Sequence, residues 1–94
     1  MNALPVLNLY VTDDCSSCAR TRRAIRECAR LQSLVAVVEH RLGDLEAPRP
    51  RGVVAGPTLV FDGIVVWLGT PDSTELADRL EAMIRKQQKG ERTR

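Results

Sequence analysis

The sequence has few aromatic residues and little net charge. Of its 94 residues only three are aromatic, namely Tyr10, Phe61 and Trp67. Proteins that bind single-stranded nucleic acid usually stack bases on several aromatic rings, so this scarcity argues against nucleic acid as a partner. The 14 basic and 12 acidic side chains leave a net charge of +2, which requires no strongly charged partner.

Long apolar segments are also missing from the sequence. A helix that spans a bilayer needs about 20 consecutive apolar residues, and no stretch of this chain approaches that length. The first residues, Met1-Asn2-Ala3-Leu4-Pro5, have neither the basic start nor the apolar run of a secretion signal. We therefore expect a cytoplasmic protein with no membrane partner, in a compartment that keeps structural disulfides reduced.

The length predicts a single domain, residues 1–94. A chain of 94 residues is long enough for one hydrophobic core and too short for two, and no internal repeat or linker divides it. We expect the core to span about residues 6–88 and the basic tail, residues 89–94, to be frayed. We also expect a monomer.

Hydrophobic patterning predicts the order of the first elements. Residues 6–11 form an apolar run typical of a buried central strand, and residues 34–41 contain a second, β-branched run. Between them, residues 16–32 carry apolar side chains every three or four positions, which predicts a helix with a basic opposite face. Two further apolar runs, 58–61 and 64–68, flank Asp62-Gly63, a strong hairpin signal.

A last helix follows the hairpin. Thr70 is predicted as its N-cap, Pro71 as its first residue and Gly90 as its end. The order is then strand, helix, strand, loop, hairpin and helix, and two strands joined by a helix should be parallel. The sequence therefore predicts an α/β fold with a four-stranded mixed sheet.

Two cysteines lie at the start of the predicted first helix, a position that makes a thiol reactive. Cys15 and Cys18 come directly after the first strand, at the start of the first helix. A thiolate there faces unpaired N–H groups and the positive end of the helix dipole, which lowers the pKa of the thiol and creates a nucleophile for disulfide exchange. We predict Cys15 as the attacking thiol and Cys18 as the resolving thiol. Charges of both signs lie nearby in sequence, so the net pKa shift stays open.

A Gly-Pro-Thr segment before the hairpin gives a second signal, because proline is tolerated only at the start or edge of a strand. Taken together, Cys15-Ser16-Ser17-Cys18, Gly56-Pro57-Thr58-Leu59 and Gly69 resemble the thioredoxin and glutaredoxin superfamily, especially its small glutaredoxin-like thioredoxins. The resemblance implies a thioredoxin-like fold and a cis Pro57 lying against the cysteines. It also implies that the backbone around Gly56, Pro57 and Thr58 binds the substrate.

The same resemblance implies a protein-disulfide reductase that acts in cell redox homeostasis. Its partners would be a disulfide in a protein or small molecule, and a reductase or thiol reductant. It would need no cofactor beyond its own redox-active Cys15–Cys18 pair, and no metal.

The chain departs from both branches of the superfamily. Thioredoxins carry Trp before a Cys-Gly-Pro-Cys motif, where this chain has Asp14 and two serines. Glutaredoxins hold glutathione with a Gly-Gly pair followed by Asp, and the corresponding Gly69-Thr70-Pro71-Asp72 lacks one glycine, so glutathione use stays open. The middle helix of the family is cut down to a loop, residues 43–52, in which Pro48 and Pro50 allow at most one turn.

Other functions remain compatible with the cysteine pair. Two thiolates also suit Cu(I) or Zn, so a metal-binding or metallochaperone module is the main alternative. Against it, two cysteines leave a structural zinc site incomplete, and ferredoxin-like metallochaperones end on a strand where this chain ends on a helix. An interaction domain without turnover is a third interpretation.

Three further side chains are interpreted as structural. Cys28 lies on the apolar stripe of the first helix and is expected to pack in the core, as free cysteine does. The lone His40 is expected to be a solvated strand end, because one histidine cannot build a metal site. Trp67 is expected to be buried or half-buried on the last strand.

Overall fold

The computed structural model of the protein describes residues 3–12, 15–43 and 56–92. Within these residues the chain forms four strands and three helices. In chain order they are β1 (Val6–Val11), α1 (Ser16–Glu27), α2 (Ala29–Leu34), β2 (Ala36–Arg41), β3 (Thr58–Phe61), β4 (Ile64–Leu68) and α3 (Ser73–Arg92). Asp13, Asp14 and all of the predicted loop 43–52 except Gly43 lie outside the described residues.

The four strands form one mixed sheet in the order β2-β1-β3-β4. β1 is central, parallel to β2 and antiparallel to β3, and β4 is antiparallel to β3. Asp62 and Gly63 both have positive φ, 53° and 76°, as a two-residue hairpin turn of type I′ requires. The predicted four-stranded mixed α/β fold is confirmed.

The hydrophobic core lies between one face of the sheet and the helices. Alternate residues of β1 and β3 point into it, and each helix adds one or two large side chains. Its fully buried large members are Leu7, Leu9, Leu31, Leu59, Phe61, Leu76 and Leu80. Each such side chain contributes about 1.5–3 kcal/mol when it is removed from water. The helix that carries Cys15 and Cys18 is thereby fixed against the sheet.

The predicted first helix is wrong in one respect, because it is broken at Cys28. Cys28 has an extended backbone, with φ −95° and ψ 101°, and separates α1 from α2. In a continuous helix Ile25 and Leu31 would lie about 120° apart around the axis. The break allows both of them to be buried in the same core. Cys28 itself is half-buried and packs against that core, as predicted.

The second strand also begins later than predicted. Leu34 still belongs to α2, Val35 is an extended link, and β2 starts at Ala36. The β-branched composition of this run indicated a strand, but the last turn of the preceding helix occupies its first residue.

His40 on β2 is half-buried rather than a solvated strand end. Its Nε2 lies 2.8 Å from Oδ1 of Asn8, and its ring stacks on Tyr10 with centroids 4.7 Å apart. The register of β1 and β2 places His40 beside Tyr10, which the strand pattern alone does not show. Trp67 is half-buried and packs against the core, as expected, with the Arg79 guanidinium 4.9 Å from its ring centroid.

The last helix begins at Ser73, so the predictions for both of its ends are wrong. The N–H of Glu75 donates to Oδ1 of Asp72 at 3.0 Å, which makes Asp72 the cap and leaves Thr70 and Pro71 outside the helix. Asp is among the best capping residues and also faces the positive end of the dipole. Gly90 lies within α3, which runs to Arg92, because one glycine weakens a helix by about 1 kcal/mol without ending it.

Replacing Asp72 with Ala should lower the free energy of unfolding by about 1 kcal/mol, because the N–H of Glu75 loses its acceptor. Urea unfolding followed by circular dichroism measures this loss. Asp72→Asn keeps an oxygen at the same place and should recover most of it. An Asp72→Ala variant as stable as the original chain would contradict this assignment of the cap.

Across residues 3–12, 15–43 and 56–92, the protein has no helix with the length and apolarity that a membrane span needs.

Candidate active site

The sheet register brings the two sequence motifs together. β1 ends at Val11, shortly before Cys15, and β3 begins at Thr58, directly after Pro57. β1 and β3 are antiparallel and Tyr10 pairs with Thr58, so the end of one strand lies beside the start of the other. The cysteine motif and the Gly-Pro motif therefore meet at the same edge of the sheet.

Cys15 is the N-cap of α1, and its sulfur takes the place of a capping oxygen. Its backbone is extended, with φ −107° and ψ 103°, and its Sγ accepts the N–H of Cys18 at 3.0 Å. Cys15 and Cys18 are joined by a disulfide, with their Cα atoms 5.2 Å apart, within the range that such bonds favour. The two residues differ in exposure, because Cys15 is partly exposed and Cys18 is only 1% exposed.

Gly56 lies against the backbone at the end of β1. A Cβ on Gly56 would come within 2.9 Å of both the Thr12 nitrogen and the Val11 Cα, and within 3.1 Å of the Tyr10 carbonyl oxygen. These are backbone atoms of a central strand and its continuation, which cannot move aside as a flexible side chain can. The position therefore requires glycine. The Gly56–Pro57 peptide bond that follows is cis.

In the predicted binding segment, Gly56 to Thr58, only some of the backbone groups are hydrogen-bonded to the described part of the fold. Thr58 is paired with Tyr10 on one side and with Leu68 on the other, and it is only 1% exposed. The carbonyl of Pro57 accepts the N–H of Gly69 at 2.9 Å. Gly56 lies outside the strand, and no hydrogen bond links its backbone to another described residue. Of the three residues, Gly56 is therefore the one whose backbone N–H and carbonyl are not hydrogen-bonded to the described part of the fold.

A corner between β4 and α3, residues 69–72, packs against the first turn of α1. Gly69 has a φ of +83°, which lets the chain turn sharply after the last strand. The hydroxyl of Thr70 then lies 3.3 Å from the carbonyl oxygen of Ser17 and 3.4 Å from Oγ1 of Thr21. Thr21 donates to the same Ser17 carbonyl at 2.8 Å and is fully buried.

The sequence analysis did not assign a role to Thr21 or Thr70 in this site. One signal was present for Thr21, which stands between Cys18 and Ile25 on the side of the helix that carries the apolar stripe. A polar side chain on a buried face needs a hydrogen-bond partner. Its contact with Thr70 in the corner forms only in the folded chain and cannot be predicted from the sequence pattern.

Basic side chains of α1 and α2 are in part neutralised by ion pairs. Arg22 donates two hydrogen bonds to Glu39, at 2.6 and 3.1 Å, which raise the pKa of its guanidinium above the usual value. Arg30 pairs with Asp78 at 2.7 Å and with Glu81 at 3.1 Å, and these contacts, Asp78 first, raise its pKa too. All three pairs are at the surface, so each contributes little to stability.

Arg20 contacts Ser17, one of the two residues between the cysteines in sequence. Its guanidinium donates to Oγ of Ser17 at 3.1 Å. The Ser17 hydroxyl is therefore occupied as an acceptor. In the part of the chain that is described, no group of three or more His, Cys, Asp or Glu side chains is placed to hold a metal ion.

Comparison with known proteins agrees with this arrangement at the level of the family. No curated protein and no solved structure gives a significant match. A family model described as a thioredoxin domain matches residues 7–81, from β1 into α3, and so includes the cysteine pair, the Gly-Pro segment and the corner after β4. The chain therefore belongs to the thioredoxin domain family.

Proposed function

We propose that the protein is a thiol–disulfide oxidoreductase that reduces or exchanges disulfides, with Cys15 as the attacking and Cys18 as the resolving residue. The observation that supports this most is the Cys15–Cys18 disulfide at the N-terminus of α1, with Cys15 partly exposed and Cys18 buried. A disulfide closed across one helical turn beside a partly exposed residue can open and re-form without a change of fold.

The reduced form would act in two exchange steps. In the first, the Cys15 thiolate attacks one sulfur of the substrate disulfide, forms a mixed disulfide and releases the other substrate sulfur as a thiolate. In the second, the Cys18 thiolate attacks Sγ of Cys15, closes the Cys15–Cys18 disulfide and releases the second substrate thiolate. Two electrons pass from the enzyme to the substrate, and the released thiolates take up protons.

The geometry supports different roles for the two sulfurs. The N–H of Cys18 donates to Sγ of Cys15, and this bond would stabilise a thiolate there together with the positive end of α1. Each of these two contributions acts to lower the pKa of the Cys15 thiol. Cys18, which is almost fully buried, can reach only a sulfur already attached to its neighbour.

Substrate binding is proposed at Gly56. Its N–H and carbonyl are left outside the sheet, close to the end of β1, so an extended substrate backbone could pair with them beside the disulfide. Thr58 would support this contact through its place in the sheet rather than through its side chain, which is buried.

In the reduced protein, Cys15 should be the first residue alkylated by limiting iodoacetamide near neutral pH, because thiolate fraction and exposure govern the rate. Peptide mapping by mass spectrometry identifies the labelled residue. Labelling of Cys18 or Cys28 ahead of Cys15 would contradict the assignment of roles.

A Cys18→Ser variant should accumulate a mixed disulfide with its substrate, because the second exchange step is lost. Incubation with an oxidised model protein followed by non-reducing electrophoresis measures the adduct. The matched variant Cys15→Ser should form none.

The function itself is tested by reduction of insulin, supplied in parallel with thioredoxin reductase and with glutathione and its reductase. We expect turnover with at least one of these reductants. Purification with tightly bound stoichiometric Cu or Zn, together with no turnover, would favour the metal-binding alternative.

A further inference from the structure

The peptide unit between Ser17 and Cys18 has a hydrogen bond at each end. Its N–H, which belongs to Cys18, donates to Sγ of Cys15 at 3.0 Å. Its carbonyl, which belongs to Ser17, accepts the hydroxyl of Thr21 at 2.8 Å and lies 3.3 Å from the hydroxyl of Thr70. Because a peptide unit is planar, the position of its oxygen sets the direction of its N–H.

The contact with Thr70 is not part of ordinary helix geometry. A threonine within a helix commonly donates to the carbonyl four residues earlier, as Thr21 does. Thr70, in contrast, is 53 residues away in sequence and approaches from the corner after β4. Within α1 the Ser17 carbonyl also accepts the N–H of Thr21, so the two hydroxyls, each with one proton, are additional donors that share the oxygen with that helical bond.

We propose that Thr21 and Thr70 are positioning residues that hold the Ser17–Cys18 peptide so that its N–H stays directed at the sulfur of Cys15. In this role they act through the peptide, which both of them contact at the Ser17 carbonyl. Donors at a carbonyl also polarise the peptide and strengthen its N–H as a donor. This inference rests on the proposed role of Cys15 as a thiolate.

The proposal predicts the direction in which the pKa of Cys15 changes in the reduced enzyme when a hydroxyl is removed. A better directed N–H stabilises the Cys15 thiolate relative to the thiol, so removing either hydroxyl should raise the pKa of Cys15. At a pH below this pKa the alkylation rate follows the thiolate fraction. Loss of one neutral hydrogen bond corresponds to a fall of roughly three- to tenfold in that rate.

Charged and titratable groups around the cysteines are the same in all the variants used below. In the described segments they include Arg20, Arg22 and Arg23, which follow the cysteines along α1, and Asp72, which follows Thr70 in the corner. Their contributions cancel when variants are compared with the original chain.

The chain offers a matched control at the start of α3, directly after the corner. Oγ of Ser73 donates to the carbonyl of Ala24 at 3.3 Å, a contact with α1 of the same kind and length as that of Thr70. Ala24 lies two helical turns from the cysteine motif. Ser73→Ala therefore removes a hydrogen bond between α3 and α1 without affecting the Ser17–Cys18 peptide.

The test is the pH dependence of Cys15 alkylation in the reduced protein, with the rate followed by mass spectrometry. For Thr70→Val, at an exposed position that should not affect folding, we expect the midpoint to move to higher pH and the rate below it to fall three- to tenfold. Thr70→Ser should restore both, and Ser73→Ala should change neither. Thr21→Val should act in the same direction, and Thr21→Ser should restore its effect.

An unchanged midpoint in Thr70→Val, an equal shift in Ser73→Ala, or a failure of Thr70→Ser to restore the profile would overturn the inference. These outcomes are separate from the proposed function, which is tested by insulin turnover of the unaltered chain. Absence of that turnover would overturn the function, whereas the alkylation profiles measure the Cys15 thiol alone.

Discussion

Replacing Cys15 with Ser should reduce disulfide reductase activity to the rate of the reductant alone. A serine hydroxyl is not ionised near neutral pH and does not attack a disulfide, so no mixed disulfide forms. Insulin reduction with each of the two reductant systems measures the effect.

The matched control for this variant is Cys28→Ala. Cys28 is the one cysteine outside the disulfide, half-buried where α1 gives way to α2. Alanine keeps a small apolar side chain there, so most of the activity should remain. Activity that survives Cys15→Ser, or that disappears in Cys28→Ala with the fold intact, would contradict the assigned chemistry.

Replacing Gly56 with Ala should destabilise the protein by about 1–3 kcal/mol and strongly reduce turnover, because the added Cβ meets backbone at 2.9 Å. The atoms it meets belong to Val11 and Thr12, which lead from β1 toward Cys15. Relief of the contact must move either the Gly-Pro segment or the approach to the cysteines. Urea unfolding and insulin reduction measure the two effects.

Gly43→Ala is the control for that substitution. A Cβ at Gly43 has no atom within 4 Å, and Gly43 does not have a positive φ. Its stability should stay within about 0.5 kcal/mol of the original chain, and its activity should be unchanged. A Gly56→Ala variant that matches Gly43→Ala in both measurements would contradict the requirement for glycine beside β1.

The sheet was predictable because its signals are local and agree with one another. The apolar run 6–11 and the Asp62-Gly63 turn each favour one structure, and the order of elements then determines which strands are parallel. Resemblance to a family added the expectation that the Gly-Pro segment lies near the cysteines, which the pairing of Tyr10 with Thr58 makes possible.

The errors occurred where two residues compete for one task or where burial overrides the local pattern. Thr70 and Asp72 are both capping residues, and only the fold shows that the hydroxyl of Thr70 lies against Ser17 while Asp72 caps α3. The break at Cys28 follows from burial of Ile25 and Leu31 in one core. The helical spacing of apolar residues in the sequence does not indicate this break. Hydrogen bonds between residues 53 positions apart cannot be read from a sequence pattern.

The central claim is that Cys15 and Cys18 form a reversible redox couple that works on other disulfides. Equilibration of the protein with glutathione buffers, followed by acid trapping and mass spectrometry, tests it most directly. We expect one two-electron transition with a potential between roughly −270 and −120 mV, the range of thiol–disulfide oxidoreductases. A potential below about −300 mV, typical of structural disulfides, or a dithiol that does not oxidise because it holds Cu or Zn, would contradict the claim.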